Sequence, residues 1–218
     1  MKKSSKYDTS GLIENQFELG SRKRVLRNLL GIKSKKQMDE LEALEYAKAF
    51  EKVIRLYAKS HGFDAKDVCN IHKSWLGGIY SWAGSYRSVN ISKGNFSFAG
   101  ATHVPRLMAE FEKETLAKYT PCKFGAMDDV AEALAAVHVE LVLIHPFREG
   151  NGRLARLVSV LMAFQAGLPP LDFEHIQGRK KEEYFSAVRK GLNRDYSPMK
   201  KIFREVIGRT IRRASRKP

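Results

Sequence analysis

The chain has 218 residues, of which 43% are hydrophobic and 10% aromatic, and its formal net charge is +15. This composition predicts a folded globular protein and excludes a disordered chain. No apolar run approaches the roughly 20 residues of a membrane span, and no apolar stretch follows the basic N-terminus as in a secretory signal. The two cysteines, Cys69 and Cys122, lack metal-binding spacing. We therefore expect a cytoplasmic protein with two reduced thiols and no membrane partner.

The positive charge is unevenly distributed along the chain. Residues 22–36 contain no acid, and residues 200–217 contain only Glu205. Such charge attracts polyanions, so a basic nucleic-acid-binding protein is one interpretation. Aromatic residues do not alternate with the basic ones, as a stacking surface for bases requires. We therefore favour solvated basic faces over a nucleic-acid surface, and these faces also suit ATP or an acidic protein partner.

Hydrophobic residues recur at spacings of three and four over most of the chain, which predicts helices. The predicted helices cover residues 38–60, 64–79, 104–119, 128–144, 154–166, 179–192 and 199–213. Residues 89–98 instead alternate apolar and polar side chains around Lys93-Gly94-Asn95, which predicts a β-hairpin with a glycine turn. The expected fold is all-α, a helical bundle with one β-hairpin.

Residues 145–156 join two predicted core helices and read His-Pro-Phe-Arg-Glu-Gly-Asn-Gly-Arg-Leu-Ala-Arg. A histidine is mostly neutral at pH 7, so His145 can accept a proton from a hydroxyl. Gly150 and Gly152 let a ligand approach the N-terminus of the next helix, where free N–H groups and the helix dipole bind anions. Asn151 between them adds a side-chain donor.

Three charged residues of this segment extend the anion site. Arg153 and Arg156 are three residues apart and can grip phosphate oxygens from one side of the first helical turn. Glu149 suits a Mg²⁺ ion placed between the carboxylate and the phosphates. A histidine cap, a glycine turn or a solvated arginine pair is each common as plain structure. A turn needs neither the histidine nor two arginines, so the combination predicts a nucleotide site.

The segment resembles the signature of the Fic family, His-x-Phe-x-[Asp/Glu]-Gly-Asn-Gly-Arg-x-x-Arg, at every position. Residues 71–73, 80–84 and Arg87 resemble the stretch before the family's flap hairpin, and residues 91–94 resemble the flap itself. The resemblance implies a Fic-type helical bundle with one β-hairpin flap. It also implies a Fic domain at residues 35–205, with an N-terminal extension at 1–34 and a basic C-terminal tail at 206–218.

Fic proteins of this type transfer AMP from ATP to a Ser, Thr or Tyr hydroxyl of a target protein and release pyrophosphate. The resemblance implies that His145 is the base, that Glu149 holds Mg²⁺ and that Tyr184 contacts the nucleobase. It implies that the phosphates are bound by Gly150, Asn151, Gly152, Arg153 and Arg156. The target would dock as an added strand on the flap residues Ile91, Ser92, Lys93 and Gly94.

Other functions stay open beside adenylylation. The relative called Doc, which moves the γ-phosphate, lacks the second glycine and the second arginine, so Gly152 and Arg156 favour AMP transfer. A Fic-type phosphotransferase or the use of another nucleotide donor remains the alternative within the family. A toxin of a toxin–antitoxin pair is one biological setting. A basic nucleic-acid-binding protein is the alternative of another class.

Residues 10–15 fit the family's inhibitory pattern, [Ser/Thr]-x-x-x-Glu-[Gly/Asn], whose glutamate pairs with the second arginine. On this hypothesis Ser10 and Glu14 belong to an intrinsic inhibitory helix, and Glu14 contacts Arg156. Gly11 weakens the local helix. The alternative is a leader without this role, with inhibition supplied by a separate small antitoxin.

Overall fold

A computed structural model describes residues 11–57 and 59–216. Its elements in chain order are α1 (Lys35–Leu56), α2 (Ala65–Leu76), β1 (Ser92–Lys93), β2 (Phe96–Ser97), α3 (Val104–Phe111), α4 (Ala117–Tyr119), α5 (Met127–Ile144), α6 (Asn151–Gln165), α7 (Arg179–Lys190) and α8 (Ser197–Ala214). A π-helical turn, Glu112–Leu116, joins α3 to α4. The expected all-α bundle with one β-hairpin is confirmed. In the part of the chain described, no helix is long and apolar enough to cross a membrane.

The central helix of the bundle is α5, which packs against both α6 and α8. Val130, Leu134 and Leu141 lie on one stripe of this helix and are fully buried. Alanines on the neighbouring positions let the adjacent helices approach closely. The helix ends at Ile144 because His145 takes a left-handed conformation and Pro146 cannot continue the helix.

Helices α1 and α2 pack against each other. Helix α2 begins with a reciprocal capping box. The side chain of Asp64 accepts from the backbone N–H of Asp67, and the side chain of Asp67 accepts from the backbone N–H of Asp64. The indole Nε1 of Trp75 on α2 donates to the carbonyl oxygen of Glu42 on α1 at 2.9 Å. This contact fixes the two helices side by side next to the start of α6.

Residues 11–34, the described part of the expected N-terminal extension, pack onto this helix pair. Val25 is buried in one hydrophobic cluster with Met38 of α1 and Trp75 of α2. The backbone N–H of Leu29 donates to the carbonyl oxygen of Ile79 at 2.8 Å. The N-terminal residues are therefore held close to the segment that leads into the hairpin.

Helix α8 continues past the expected domain boundary at residue 205 and ends at Ala214. Val206, Ile207 and Thr210 are buried, because they extend the apolar stripe by which this helix packs on α5. Residues 206–214 thus lie within the bundle, and the basic residues of this stretch occupy the outer face of a core helix.

Candidate active site

A cleft of about 900 Å³ opens between the hairpin, the segment from α5 to α6, and α7. Its volume lies in the range of small-molecule sites. The cleft brings together most residues that the sequence assigned to catalysis, phosphate binding and the flap: Ile91, Ser92, Lys93, His145, Glu149, Gly150, Asn151, Gly152, Arg153, Arg156 and Tyr184. Gly94 lies instead at the tip of the hairpin, where its positive φ of 57° makes the turn.

His145 caps α5 in a left-handed conformation, with φ 52° and ψ 58°. Its Nδ1 lies 3.1 Å from the carbonyl oxygen of Val142. Because a carbonyl only accepts, Nδ1 carries the proton and Nε2 is left as an acceptor. Burial lowers the pKa of His145 to about 4, although the bond to Val142 acts in the opposite direction. The ring is therefore a neutral base at pH 7.

Arg87 connects this base to the foot of the hairpin. Its guanidinium is buried and donates to the carbonyl oxygens of His145 at 2.6 Å, Val89 at 2.7 Å and Ala99 at 2.6 Å. Val89 and Ala99 flank the hairpin on either side. The sequence identified Arg87 only as part of the family likeness, because no local pattern reports a side chain bound to a backbone 58 positions away.

His72 fixes the loop that carries Glu149. Its Nδ1 accepts from the backbone N–H of Gly84 at 2.9 Å, and its Nε2 donates to the carbonyl oxygen of Glu149 at 3.1 Å. The ring stacks on Phe147 at 3.9 Å between centroids. Burial lowers the pKa of His72 to about 4, so it stays neutral. Phe147 is buried, as expected of a core anchor.

The two glycines of the loop have different structural demands. Gly150 adopts a φ of +84°, and a Cβ there would lie 2.8 Å from Cζ3 of Trp75. A Cβ on Gly152 would meet no atom within 4 Å, so the protein itself does not require glycine at that position. Gly152 lines the cleft, so the absence of a side chain there leaves space for a ligand near the backbone of α6.

The side chain of Asn151 serves the loop rather than the cleft. Its Oδ1 accepts from the backbone N–H of Phe147 at 2.9 Å, and its Nδ2 donates to the carbonyl oxygen of Phe147 at 2.7 Å. This pair of bonds closes the turn before α6 and explains why the helix begins at Asn151, earlier than the apolar pattern indicated. The expected side-chain donor to phosphate is thus occupied, and the first backbone N–H groups of α6, which have no partner within the helix, remain.

The two arginines of the segment differ in their partners. Arg153 lies 2.7 Å from the buried carboxylate of Glu42 and 4.5 Å from the ring centre of Trp75. The Nε of Arg156 is buried and has no hydrogen-bond partner. Among the described residues, no carboxylate forms an ion pair with Arg156. Arg156 is half-buried, so part of its guanidinium lacks both water and a counter-charge, and a bound anion would relieve the resulting cost.

The hairpin forms one wall of the cleft. Ser92 pairs with Ser97 and Lys93 with Phe96 in antiparallel register, and the Nζ of Lys93 lies 5.2 Å from the ring centre of Phe185 on α7. Both strands are exposed or half-exposed. A two-stranded ribbon has free backbone groups on its outer edges, which can pair with a further strand.

Comparison with known protein families matches residues 62–163 to the model described as Fic/DOC family. The matched stretch belongs to the Fic/DOC family. The matched stretch contains α2, the hairpin, α5 and the complete segment 145–156.

Relatives and solved structures agree with this assignment. The chain is similar to protein adenylyltransferase VbhT of Bartonella schoenbuchensis, with 32% identity over 70% of this chain and 31% of that protein. It is also similar to protein adenylyltransferase Fic of Nematostella vectensis, with 26% identity over 94% of this chain and 47% of that protein. The chain thus spans less than half of either relative. A Bartonella quintana Fic domain solved with bound ADP is 25% identical, has a TM-score of 0.69 and matches 88% of this chain and 94% of its own.

Tyr184 lines the cleft, but its hydroxyl is already bound. The phenol donates to Nε2 of His138 at 2.7 Å, and Nδ1 of His138 donates to the Oγ of Ser159, 3.1 Å away. Burial raises the pKa of Tyr184 to about 12, so it remains a phenol. The ring of Tyr184, 5.8 Å from the guanidinium of Arg156, is the part that faces this residue.

Glu14 is not placed as the family's inhibitory pattern implies. Its carboxylate accepts from the backbone N–H and the hydroxyl of Ser88, and within the described residues it forms no ion pair with Arg156. The surrounding residues form a short 3₁₀ turn, Ile13–Asn15, and not an α-helix. Ser10 lies outside the described residues. The expected contact between Glu14 and Arg156 is thus not present in this structure.

The surroundings of Glu149 fit a magnesium ion bound together with a nucleotide. Its side chain is about half exposed (48%) at the cleft, and Oε1 lies 3.5 Å from Nη2 of Arg153. Residues 11–57 and 59–216 contain no group of three or more His, Cys, Asp or Glu that could hold a metal ion. Mg²⁺ commonly takes one or two carboxylates, phosphate oxygens and water, so one carboxylate is a suitable protein ligand.

Proposed function

We propose that this protein is a protein adenylyltransferase, which transfers AMP from ATP to a Ser, Thr or Tyr hydroxyl of a target protein and releases pyrophosphate. One observation carries the proposal: a neutral His145 with a free Nε2 shares a single cleft with Arg156, whose Nε has no hydrogen-bond partner. Adenylyltransferase relatives and an ADP-bound structural neighbour support it.

The start of α6 would bind the triphosphate. Its first backbone N–H groups have no partner within the helix, and the helix dipole adds partial positive charge there. Gly152 leaves room for phosphate close to this backbone, and Arg156 supplies a full charge. Glu149 would hold Mg²⁺, which when bound neutralises negative charge on the phosphates.

The transfer step uses His145 as a general base. Nε2 accepts the proton of the target hydroxyl while the hydroxyl oxygen attacks the α-phosphorus of ATP. The bond between the α-phosphorus and the bridging oxygen breaks, and pyrophosphate leaves with that oxygen. A pKa well below 7 keeps His145 in the form that accepts the proton.

The hairpin would bring the target to this base. A target segment that pairs with its exposed edge at residues 91–94 would be held mainly by backbone hydrogen bonds, which suits varied side chains. Phe98, at the end of the hairpin, stacks on His145 with 3.6 Å between ring centroids. A strand added to the hairpin would therefore lie close to the base.

Labelled ATP tests the proposal. A cell lysate is treated with wild type or His145→Ala, using ATP labelled at the α- or the γ-phosphorus. We expect α-label on a target protein with wild type alone. Transfer of γ-label without α-label would identify a phosphotransferase instead. DNA binding that is salt-sensitive and survives in His145→Ala would favour the nucleic-acid alternative. A toxin role and a separate antitoxin stay predictions.

A further inference from the structure

Glu14 is a buried carboxylate that the proposed reaction does not use. Its exposed fraction is 7%, although it lies in the N-terminal segment ahead of α1. Burial of a carboxylate is costly unless hydrogen bonds or a positive charge compensate it. The contacts of Glu14 therefore indicate what it stabilises.

These contacts join two parts of the active site. The carboxylate Oε1 accepts from the backbone N–H of Ser88 at 2.7 Å and also from its hydroxyl. The carbonyl oxygen of Glu14 accepts from Nε of Arg148 at 2.9 Å. Ser88 directly precedes the foot of the hairpin, and Arg148 lies in the loop between His145 and α6. One N-terminal residue thus contacts both the hairpin foot and the catalytic loop.

The neighbour of Ser88 is Arg87, the buried guanidinium that binds the carbonyl oxygens of His145 and the hairpin foot. In the described part of the chain Arg87 forms no ion pair with a carboxylate. Burial lowers the pKa of Arg87, and the negative charge of Glu14 is what opposes that shift. Glu14 therefore holds the residue next to Arg87 directly, and its negative charge favours the charged form of Arg87.

We infer that Glu14 is a positioning residue for the transfer reaction: through Ser88 and Arg87 it keeps the foot of the hairpin in place relative to His145. The inference rests on the proposed function. The expected effect on the rate is the opposite of that for an inhibitory residue, because removal of the carboxylate should slow transfer. Glu14 does not line the cleft, so the affinity for ATP should not change.

The test compares initial rates of transfer from α-labelled ATP among wild type, Glu14→Ala, Glu14→Gln and the control Glu18→Ala. Glu18 is in the same segment but binds the backbone N–H of Asn28, away from the cleft. We expect Glu14→Ala to lower the rate by about 10-fold, since small misplacements of reacting groups are costly. Glu14→Gln keeps an acceptor for Ser88, so its transfer rate should lie between those of Glu14→Ala and wild type. An unchanged or faster rate in Glu14→Ala overturns the inference.

Two further measurements separate positioning from general destabilisation and from failure of the proposed function. The shift in melting temperature caused by ATP should be equal in wild type and Glu14→Ala, because the nucleotide contacts are intact; a lost shift overturns the inference. Hydrogen exchange should be faster in Glu14→Ala at amides 87–99 and unchanged there in Glu18→Ala. This exchange test needs no activity, so it stands even if wild type transfers no AMP, and equal protection of these amides overturns the inference.

Discussion

Arg153 on α6 forms an ion pair with Glu42 on α1, with 2.7 Å between Nη2 and Oε2. Glu42 is 4% exposed and also accepts from the hydroxyl of Tyr80 at 2.7 Å. The first arginine of the segment is thus held against α1 by a buried carboxylate. Arg156, for which the described residues supply no such partner, is the charge that remains available to a phosphate. The two arginines have different tasks, which their spacing alone does not indicate.

The substitution Glu42→Gln tests the first of these tasks. We expect it to lower the free energy of unfolding by about 1–3 kcal/mol, because the buried partner of Arg153 loses its charge. Arg153 is 40% exposed, which keeps the loss below that of a fully buried pair. Urea unfolding measures the change. The matched control is Glu40→Gln on the same helix, whose pair with Lys36 is exposed on both sides and should change stability by less than about 0.5 kcal/mol. Equal values for both variants would contradict the role of Glu42.

The substitution Arg156→Met tests the second task. Arg156 is half-buried and its Nε has no hydrogen-bond partner, so removal of the guanidinium should change the melting temperature of the free protein little. The increase in melting temperature caused by ATP should be lost. Thermal unfolding with and without ATP measures both effects. Arg179→Met is the control, since the side chain of Arg179 is 94% exposed. An ATP shift that survives in Arg156→Met would show that the phosphates are bound elsewhere.

Local signals in the sequence predicted the fold and the position of the site. The apolar stripe of α5 and the alternation at residues 89–98 each repeat within a few residues, so they report the helix and the hairpin directly. The segment 145–156 is continuous in the chain. Because this segment joins two predicted core helices, its position between α5 and α6 was predictable.

The contacts that hold the site in shape were not predictable in this way. Arg87, His72 and Glu42 bind partners that are 58, 77 and more than 100 positions away in the chain. Such pairs leave no periodic trace in a single sequence. Glu14 shows a related problem, because a sequence pattern identified the residue while the tertiary structure decided its partner, Ser88.

The two glycines of the segment allow a matched pair of substitutions. Gly150→Ala should destabilise the protein, because alanine is strained at a φ of +84° and its Cβ would lie 2.8 Å from Trp75. Gly152→Ala lies in α6 with open space around it, so helix propensity should make it neutral or stabilising by up to about 1 kcal/mol. If the space is used by phosphate, Gly152→Ala should nevertheless lower transfer from ATP. Urea unfolding and the labelling assay measure the two effects, and full activity of Gly152→Ala would contradict phosphate binding at this position.

The low pKa of His145 predicts an unusual pH dependence of transfer. With a pKa of about 4, the base is neutral throughout pH 5.5 to 7.5, so the rate should be flat with respect to this group. A histidine with an ordinary pKa of about 6.5 would lose roughly 10-fold over the same range. Initial rates at constant ionic strength, with circular dichroism to confirm folding at each pH, distinguish the two profiles.

Phe98 provides the variant that moves this profile. Its ring covers the imidazole at 3.6 Å, and burial is the main cause of the lowered pKa of His145. Phe98→Ala should hydrate the imidazole and raise its pKa toward the ordinary value, because water stabilises the protonated form. More His145 is then protonated at pH 5.5, so the rate should fall on the acid side while the rate at pH 7.5 changes less. Phe96→Ala, in the same hairpin but without a stacking contact to His145, is the control. A profile for Phe98→Ala as flat as that of wild type would show that the hairpin does not set the pKa of the base.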